Sequence, residues 1–305
     1  MQPDARTPMQ LAARRFRKNR LARVCLLLLA LLVAASVAVP LLTRARTGDM
    51  DLAAALHPPA AAHPFGTDAV GREVLPRAFA GLQLTFVVGL LAILLSLAIG
   101  IAYGAVSGYR GGGTDNLMMR GVDVLYGLPT LAILMLVISV FKDYRETVFS
   151  AAGGLFRREN RHLWDLLLIT VVLGLTSWLT IARIVRGQVL SLKEAEFVEA
   201  ARASGVRPLR ILFRHIVPNL LGPVIVYATL TLPSIMLFES LLSFLGLGVQ
   251  EPNVSLGLML DDGIKRIAAT NLNWWLVAFP GALLAAVLFC LNVVGDGLRD
   301  ALDVR

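Results

Sequence analysis

Charge is what this 305-residue chain has least of: Asp, Glu, Lys and Arg make up 16% of it, against roughly 25% in soluble globular proteins. With 56% hydrophobic residues and a mean hydropathy of +0.70, too little polar surface remains to cover a water-soluble fold. Cysteine is nearly missing too. Cys25 and Cys290 both lie inside apolar runs, which excludes a disulfide framework and a cysteine metal site. The four histidines, His57, His63, His162 and His215, are scattered singly and read as solvated or interfacial side chains. Catalytic signatures are absent as well. There is no G-x-x-x-x-G-K-[ST] to cradle a nucleotide phosphate, no H-E-x-x-H, no G-x-S-x-G and no Cys/His cluster. Gly111-Gly112-Gly113 runs into Thr114-Asp115 rather than lysine and reads as a turn. An intramembrane protease would need an ionisable or nucleophilic pair deep in facing spans. The spans offer Asp123 and Asn292 near their ends and scattered Ser and Thr, which commonly serve helix packing.

What the chain has instead is apolar blocks. A bilayer core about 30 Å thick needs about 20 apolar residues per helix. Such runs fall at about 24–42, 82–106, 121–141, 166–182, 220–238 and 274–294. The expected fold is an all-α membrane protein with about six transmembrane helices. The first run follows a basic arm, the polarity of a secretory signal peptide, but it is longer than the usual h-region and reads as a retained span. Residues 43–80 contain His57-Pro58-Pro59 and His63-Pro64, which break any helix and predict an outer loop. A charged segment, 142–165, includes a Gly153-Gly154 turn. Ser240 to Val249 is too short and Gly-rich to span, suggesting a re-entrant or interfacial piece, and Trp274-Trp275 suits an interfacial belt. The chain divides into an N-terminal region, 1–80, and a core of five spans, 81–305.

The net charge of +8 follows membrane topology rather than nucleic-acid binding. The arm holds seven of the 29 Lys and Arg, Arg110 to Arg120 two, Arg183 to Arg214 seven and the C-terminal tail two. The positive-inside rule then puts these segments and both termini in the cytoplasm, although five basic residues between Lys142 and Arg161 fall outside. Asp123 is placed to attract a cation or a peptide amino group, to snorkel, or to pair with Arg120.

The longest polar stretch of the second half, Gly187 to Asn219, carries Leu192-Lys193-Glu194-Ala195-Glu196-Phe197-Val198-Glu199-Ala200-Ala201-Arg202-Ala203-Ser204-Gly205. It reads as a short surface helix with apolar Leu192, Phe197, Ala200 and Ala201. Gly205 is set to end that helix in a left-handed cap, with Pro208 shortly beyond. A second helix follows over Leu209 to Ile216. The residues alone leave two readings open: a compact knob for a partner, or an ordinary interhelical loop.

Glu199-Ala200-Ala201, then Gly205, then Pro218 thirteen residues on, resemble the EAA loop of bacterial ABC importer permeases. Val217 departs from that motif's leucine. Phe65-Gly66-Thr67-Asp68-Ala69-Val70-Gly71-Arg72-Glu73 resembles an element of oligopeptide and dipeptide permeases, with Glu73 for aspartate and Pro76 where serine is common. Ala182 to Leu192, Glu239 to Pro252 and Gly295 to Asp303 are similar to the same subfamily, with Leu256 where tryptophan is frequent. The resemblance implies a type I ABC importer permease fold and a C-type subunit of an oligopeptide/dipeptide importer in the bacterial inner membrane. It further implies no cofactor in this chain, since ATP-Mg would be used by partners. Those partners would be a homologous second permease, two cytoplasmic ATPases and an extracytoplasmic peptide-binding protein. Glu199, Ala200, Ala201, Gly205, Arg207 and Pro218 would form the ATPase-coupling site. Import of nickel, glutathione or an antimicrobial peptide is the alternative on this scaffold, and a membrane-embedded enzyme the remote one.

Overall fold

The computed structural model describes residues 8–43, 50–144, 161–267 and 273–302. Among these there is no strand, only an isolated bridge between Thr67 and Glu73. The 145–160 part of the charged segment, with its expected Gly153-Gly154 turn, lies outside the described residues.

Asn19 separates α1 (Pro8–Lys18) from α2 (Arg20–Leu42), and its side-chain oxygen caps α2 by accepting the Ala22 N–H at 3.1 Å. After the loop comes α3 (Val74–Arg110), a 37-residue helix. At 1.5 Å per residue it is about 55 Å long, well beyond the hydrocarbon layer, so it overruns the expected apolar run at both ends. Pro76 falls in its first turn, where a missing N–H leaves no helical bond unmade. Then follow α4 (Gly112–Tyr126), α5 (Thr130–Asp143), α6 (Arg161–Leu192), α7 (Glu196–Ala203) and α8 (Pro208–Ile211). A five-residue π turn, Leu212–Ile216, joins α8 to α9 (Val217–Phe244) without a break, and α10 (Leu256–Ile267) and α11 (Trp275–Leu302) complete the chain.

Among the described residues, five helical stretches are long and apolar enough to cross a membrane: Arg20–Leu42, Val74–Arg110, Leu163–Leu192, Pro208–Phe244 and Trp275–Leu302. The run at 121–141, expected as one span, is instead two helices bent by 83°, and counting the pair as one gives six. The cause is local. Pro129 has no N–H to donate and crowds Leu128 out of helical geometry, while the Gly127 N–H closes α4 by pointing back to the Asp123 and Val124 carbonyls.

Two other expectations are corrected. Ser240 to Phe244 is no separate segment but the last turns of α9. Gly246 (φ +75°) ends that helix, with its own N–H bonded to Ser243 O and the Leu247 N–H to Leu242 O. Trp275 does not sit in an exposed belt: it is buried and donates from Nε1 to Thr67 O at 3.1 Å, leaving Trp274 on the surface.

The most extensive helix contact joins α3 to α6. They run parallel, because Gly100 lies against Ile181, Gly104 against Ala182 and Val185, and Gly108 against Val189. These glycines recur every fourth residue, so they form one stripe along which the backbones approach closely. Gly174 of α6 returns the contact onto Leu95 and Ala92. On the other side of α3, Gly89 meets Leu232 and Met236 of α9. A β-carbon at position 104 would stand 2.3 Å from the Ala182 carbonyl oxygen, whereas one at Gly113 would meet nothing within 4 Å. We therefore expect Gly104→Val to cost about 1–3 kcal/mol as overpacking and to lower the thermal unfolding midpoint in detergent, with Gly113→Ala neutral.

Candidate functional site

The EAA-like segment lies where α6, α9 and the end of α3 meet. Val198, Ala201, Ile211, Leu212 and Ile216 are buried in one core with Val185 and Val189 of α6. Leu192, Val206 and Tyr109 pack against that core. The knob is thus not a free loop but part of the bundle's own interior. Its helix ends as sequence reasoning expected: Gly205 has φ +71°, its N–H bonds to Arg202 O at 3.0 Å, and the Val206 N–H reaches Ala201 O at 3.1 Å. This pair of bonds satisfies two terminal carbonyls and fixes the reversal into α8. Arg207 precedes α8 in an extended conformation, and its carbonyl accepts the Arg210 and Ile211 N–H groups. Arg202 ties the knob back to the residue just past α6 by donating to Lys193 O at 3.3 Å.

Glu199, Ala200, Gly205, Arg207 and Pro218 are exposed. Ala201 is not. It faces inward with Val198, so the inward face is Val198–Ala201 rather than the Phe197–Ala200 side, and Ala201 cannot offer surface to a partner. Phe197 is 40% exposed. Pro218 sits just after the π turn, and its missing N–H interrupts the helical hydrogen-bond ladder of the rod at that point. The outer surface therefore carries acidic Glu194, Glu196 and Glu199 beside basic Arg202, Arg207 and Arg210.

Close to the knob, Asp115 of α4 accepts from Arg186 Nε of α6 at 2.7 Å, from Arg186 Nη2 at 2.5 Å and from Ser107 of α3 at 2.6 Å. This forked pair locks three helices together. Sequence reasoning passed over Asp115 because it follows a glycine run and looked like a turn residue. Asp123 pairs not with Arg120 but with Arg183 of α6, at 2.8 Å.

At the opposite end, the Phe65–Glu73 element folds around Asp68. Its Oδ1 accepts the N–H groups of Val70 (3.0 Å) and Arg72 (2.9 Å), and its Oδ2 accepts from Arg72 Nε at 2.7 Å. Gly71 (φ +79°) lies on the Asp51 backbone, where no side chain fits. Phe65 stacks on Phe279 of α11 with centroids 4.0 Å apart. Arg72 also donates to Glu251 at 3.0 Å, and these carboxylates outweigh burial in holding its guanidinium above the ordinary value. In the shallow cleft beside it, burial pushes the Asp262 carboxyl up, with Glu251 and Asp261 adding and Arg77 and Lys265 opposing.

The residue sequence reasoning missed outright is Glu239. It is completely buried in α9, accepting from Thr85 of α3 (3.0 Å), Ser240 (3.3 Å) and Ser243 (2.9 Å). Ser243 Oγ in turn accepts the Val249 N–H at 3.1 Å. A carboxyl next to a cluster of serines was the available signal, hidden because the apolar run was ended at Phe238. Among the described residues no group of three or more His, Cys, Asp or Glu could hold a metal ion.

The sequence model of the "binding-protein-dependent transport system inner membrane component" family matches residues 100–305, more than half of the chain. The chain belongs to this family. A second family, "N-terminal TM domain of oligopeptide transport permease C", matches residues 7–59 of this inner membrane component. It is 41% identical to the oligopeptide transport system permease protein OppC of Haemophilus influenzae, covering all of this chain and 91% of the relative. It is 42% identical to OppC of Escherichia coli K12, over 100% and 94%. With the dipeptide transport system permease protein DppC of Bacillus subtilis it shares 40% identity over 96% and 85%.

Two outcomes test this geometry. Gly205→Ala meets no neighbour within 4 Å and so costs only the left-handed backbone, about 1 kcal/mol of unfolding stability, with Gly205→Asn costing less. Asp262→Asn should match the parent protein at acid pH and unfold at a higher temperature at neutral pH. The sign follows from a raised folded-state value, whose contribution is present at low pH and lost as pH rises through it.

Proposed function

We propose that this chain is one membrane subunit of an ATP-driven, binding-protein-dependent importer of dipeptides or oligopeptides. The observation that carries the reading is the capped α7–Gly205–α8 turn, rooted in the core of the spans yet exposed on its outer side. Such an element transmits a push from outside the bundle into the helices. Glu199 gives a charged contact, Ala200 allows close approach, Gly205 and Arg207 shape the reversal, and Pro218 starts the span that follows. Ala201 acts by seating the knob rather than by touching a partner.

Two cytoplasmic ATPases dock on the knobs of this chain and of a homologous second permease, and their closure on ATP-Mg drives the pair between inward- and outward-facing forms. This chain binds no nucleotide or cofactor itself. An extracytoplasmic binding protein delivers the peptide to the outer rim. The subunit sits in a bacterial inner membrane with both termini cytoplasmic, residues 1–80 forming an N-terminal region and 81–305 the permease core. Placing the basic arm and the knob on the same side is supported by Gly297 of α11 lying against Phe16 and Ala22. The names of the relatives favour peptides over nickel or an antimicrobial peptide, and their permease titles oppose an enzyme.

The test is reconstitution of the four membrane-associated subunits with the binding protein in liposomes. Peptide uptake should need every component. Glu199→Lys and Gly205→Pro should each lower uptake more than tenfold while the chain still inserts and the second permease still co-purifies. Normal uptake by either variant sinks the coupling role.

A further inference from the structure

One face of the molecule mixes exposed apolar side chains, Val124, Leu125 and Leu128, with an exposed ion pair, which a lipid face does not. Residues 123–130, the end of α4 and the α4–α5 elbow, are exposed without interruption. Beside them on α6 stand Thr180 and Arg183, also exposed. Asp123 and Arg183 form an ion pair whose side chains are 65% and 48% accessible. The Arg183 guanidinium lies 4.2 Å over the Tyr126 ring, and Tyr126 shares a hydrogen bond with Thr180.

The pair is not in a water-exposed tail. Ala182, next to Arg183, packs on Gly104, six residues inside the end of α3 at Arg110 and within a run, Ala78 to Tyr109, that has no charged residue. Two independent observations then exclude lipid as the neighbour. Charged side chains at membrane depth face protein or water. Non-helical backbone at that depth, here Gly127 to Pro129, is tolerated only where protein buries it or a water-filled cavity wets it. The contrast is α2 beyond Arg23, whose large exposed side chains Val24, Leu27, Leu31 and Val37 are all apolar, as a lipid face requires.

We propose that the elbow face lines the aqueous solute pathway, and that the Asp123–Arg183 pair contacts one charged end of a passing peptide at a time. Asp123 takes the ammonium as it passes, or Arg183 the carboxylate, with Tyr126 holding Arg183 in place between transits. The second half of this proposal rests on the peptide-importer reading; the first does not.

The test uses the complete transporter in liposomes, with Cys25 and Cys290 replaced by alanine. Single cysteines are placed at Val124, Leu128 and Thr130, and at Leu27 as the lipid-facing reference. A charged, membrane-impermeant methanethiosulfonate is the probe. The three elbow thiols should react at least tenfold faster than the Leu27→Cys thiol, and at rates that change several-fold on trapping with ATP and vanadate. Elbow thiols as unreactive as the reference overturn the proposal, because the face is then sealed by lipid or by the second permease. Asp123→Asn and Arg183→Gln should each cut peptide uptake at saturating binding protein at least fivefold while elbow labelling stays fast. Unchanged uptake removes the solute contact. Fast labelling in a complex that takes up no peptide at all defeats the importer reading alone, since the probe needs water and not peptide.

Discussion

Where α3 passes α6, backbone meets backbone. Three glycines spaced by four residues leave no side chain in the way, and an added β-carbon at any of them would stand within 3.0 Å of α6 atoms. In a bilayer the lipid is as apolar as the core, so close packing and hydrogen bonds have to supply the association that burial supplies in water. Ser96 adds to the seam by donating to Gly174 O at 2.9 Å. Because the two helices are parallel, the chain between them must cross back through α4 and α5. That return passes around the seam, and the Asp115–Arg186–Ser107 cluster fastens its first half to both helices. The knob that follows α6 inherits its position from the same contact.

The far end adds polar groups to small-residue contacts such as Gly257 against the Ser240 carbonyl. Glu239 joins α9 to α3 through Thr85 and to its own C-terminal turn through Ser243 and Val249. The loop built on Asp68 is clamped to α11 by Trp275 and Phe279. A partly satisfied carboxyl in an apolar core is costly, and three hydroxyl donors are what make this one tolerable. Both ends of the bundle therefore combine close glycine contact with buried hydrogen bonds, the Asp115–Arg186–Ser107 cluster near the knob and the Glu239 hydroxyls near the outer rim.

Much of this was legible in the residues. The apolar runs located every crossing stretch, and the Gly205–Pro208 spacing located the knob's turn, because helix ends and bilayer thickness are local constraints. What was not legible is pairwise. Nothing along the chain says that Gly104 touches Ala182, that Asp123 prefers Arg183 to nearby Arg120, or that Ala201 turns inward while Ala200 turns out. Helix ends were misjudged for a related reason: hydropathy marks where lipid stops, whereas α3 and α9 continue past it on protein contacts. The break at Pro129 was visible as a proline inside an apolar run, yet composition alone could not tell a kink from an 83° bend.

The π turn at Leu212–Ile216 has a geometric consequence for α9. The Val217 N–H bonds to Leu212 O, one residue further back than in an α-helix, so the helix carries one residue in excess at that point. Each residue turns a helix by about 100°, and the side chains before and after the wide turn are out of phase by that angle. Ile211 and Leu212 can thus address the knob while Leu220 and Val224 address the spans, all from one continuous rod of 37 residues. Removing a single residue there would leave the helix intact and rotate the outer half, carrying Glu239, Ser240 and Ser243 together away from Thr85 of α3.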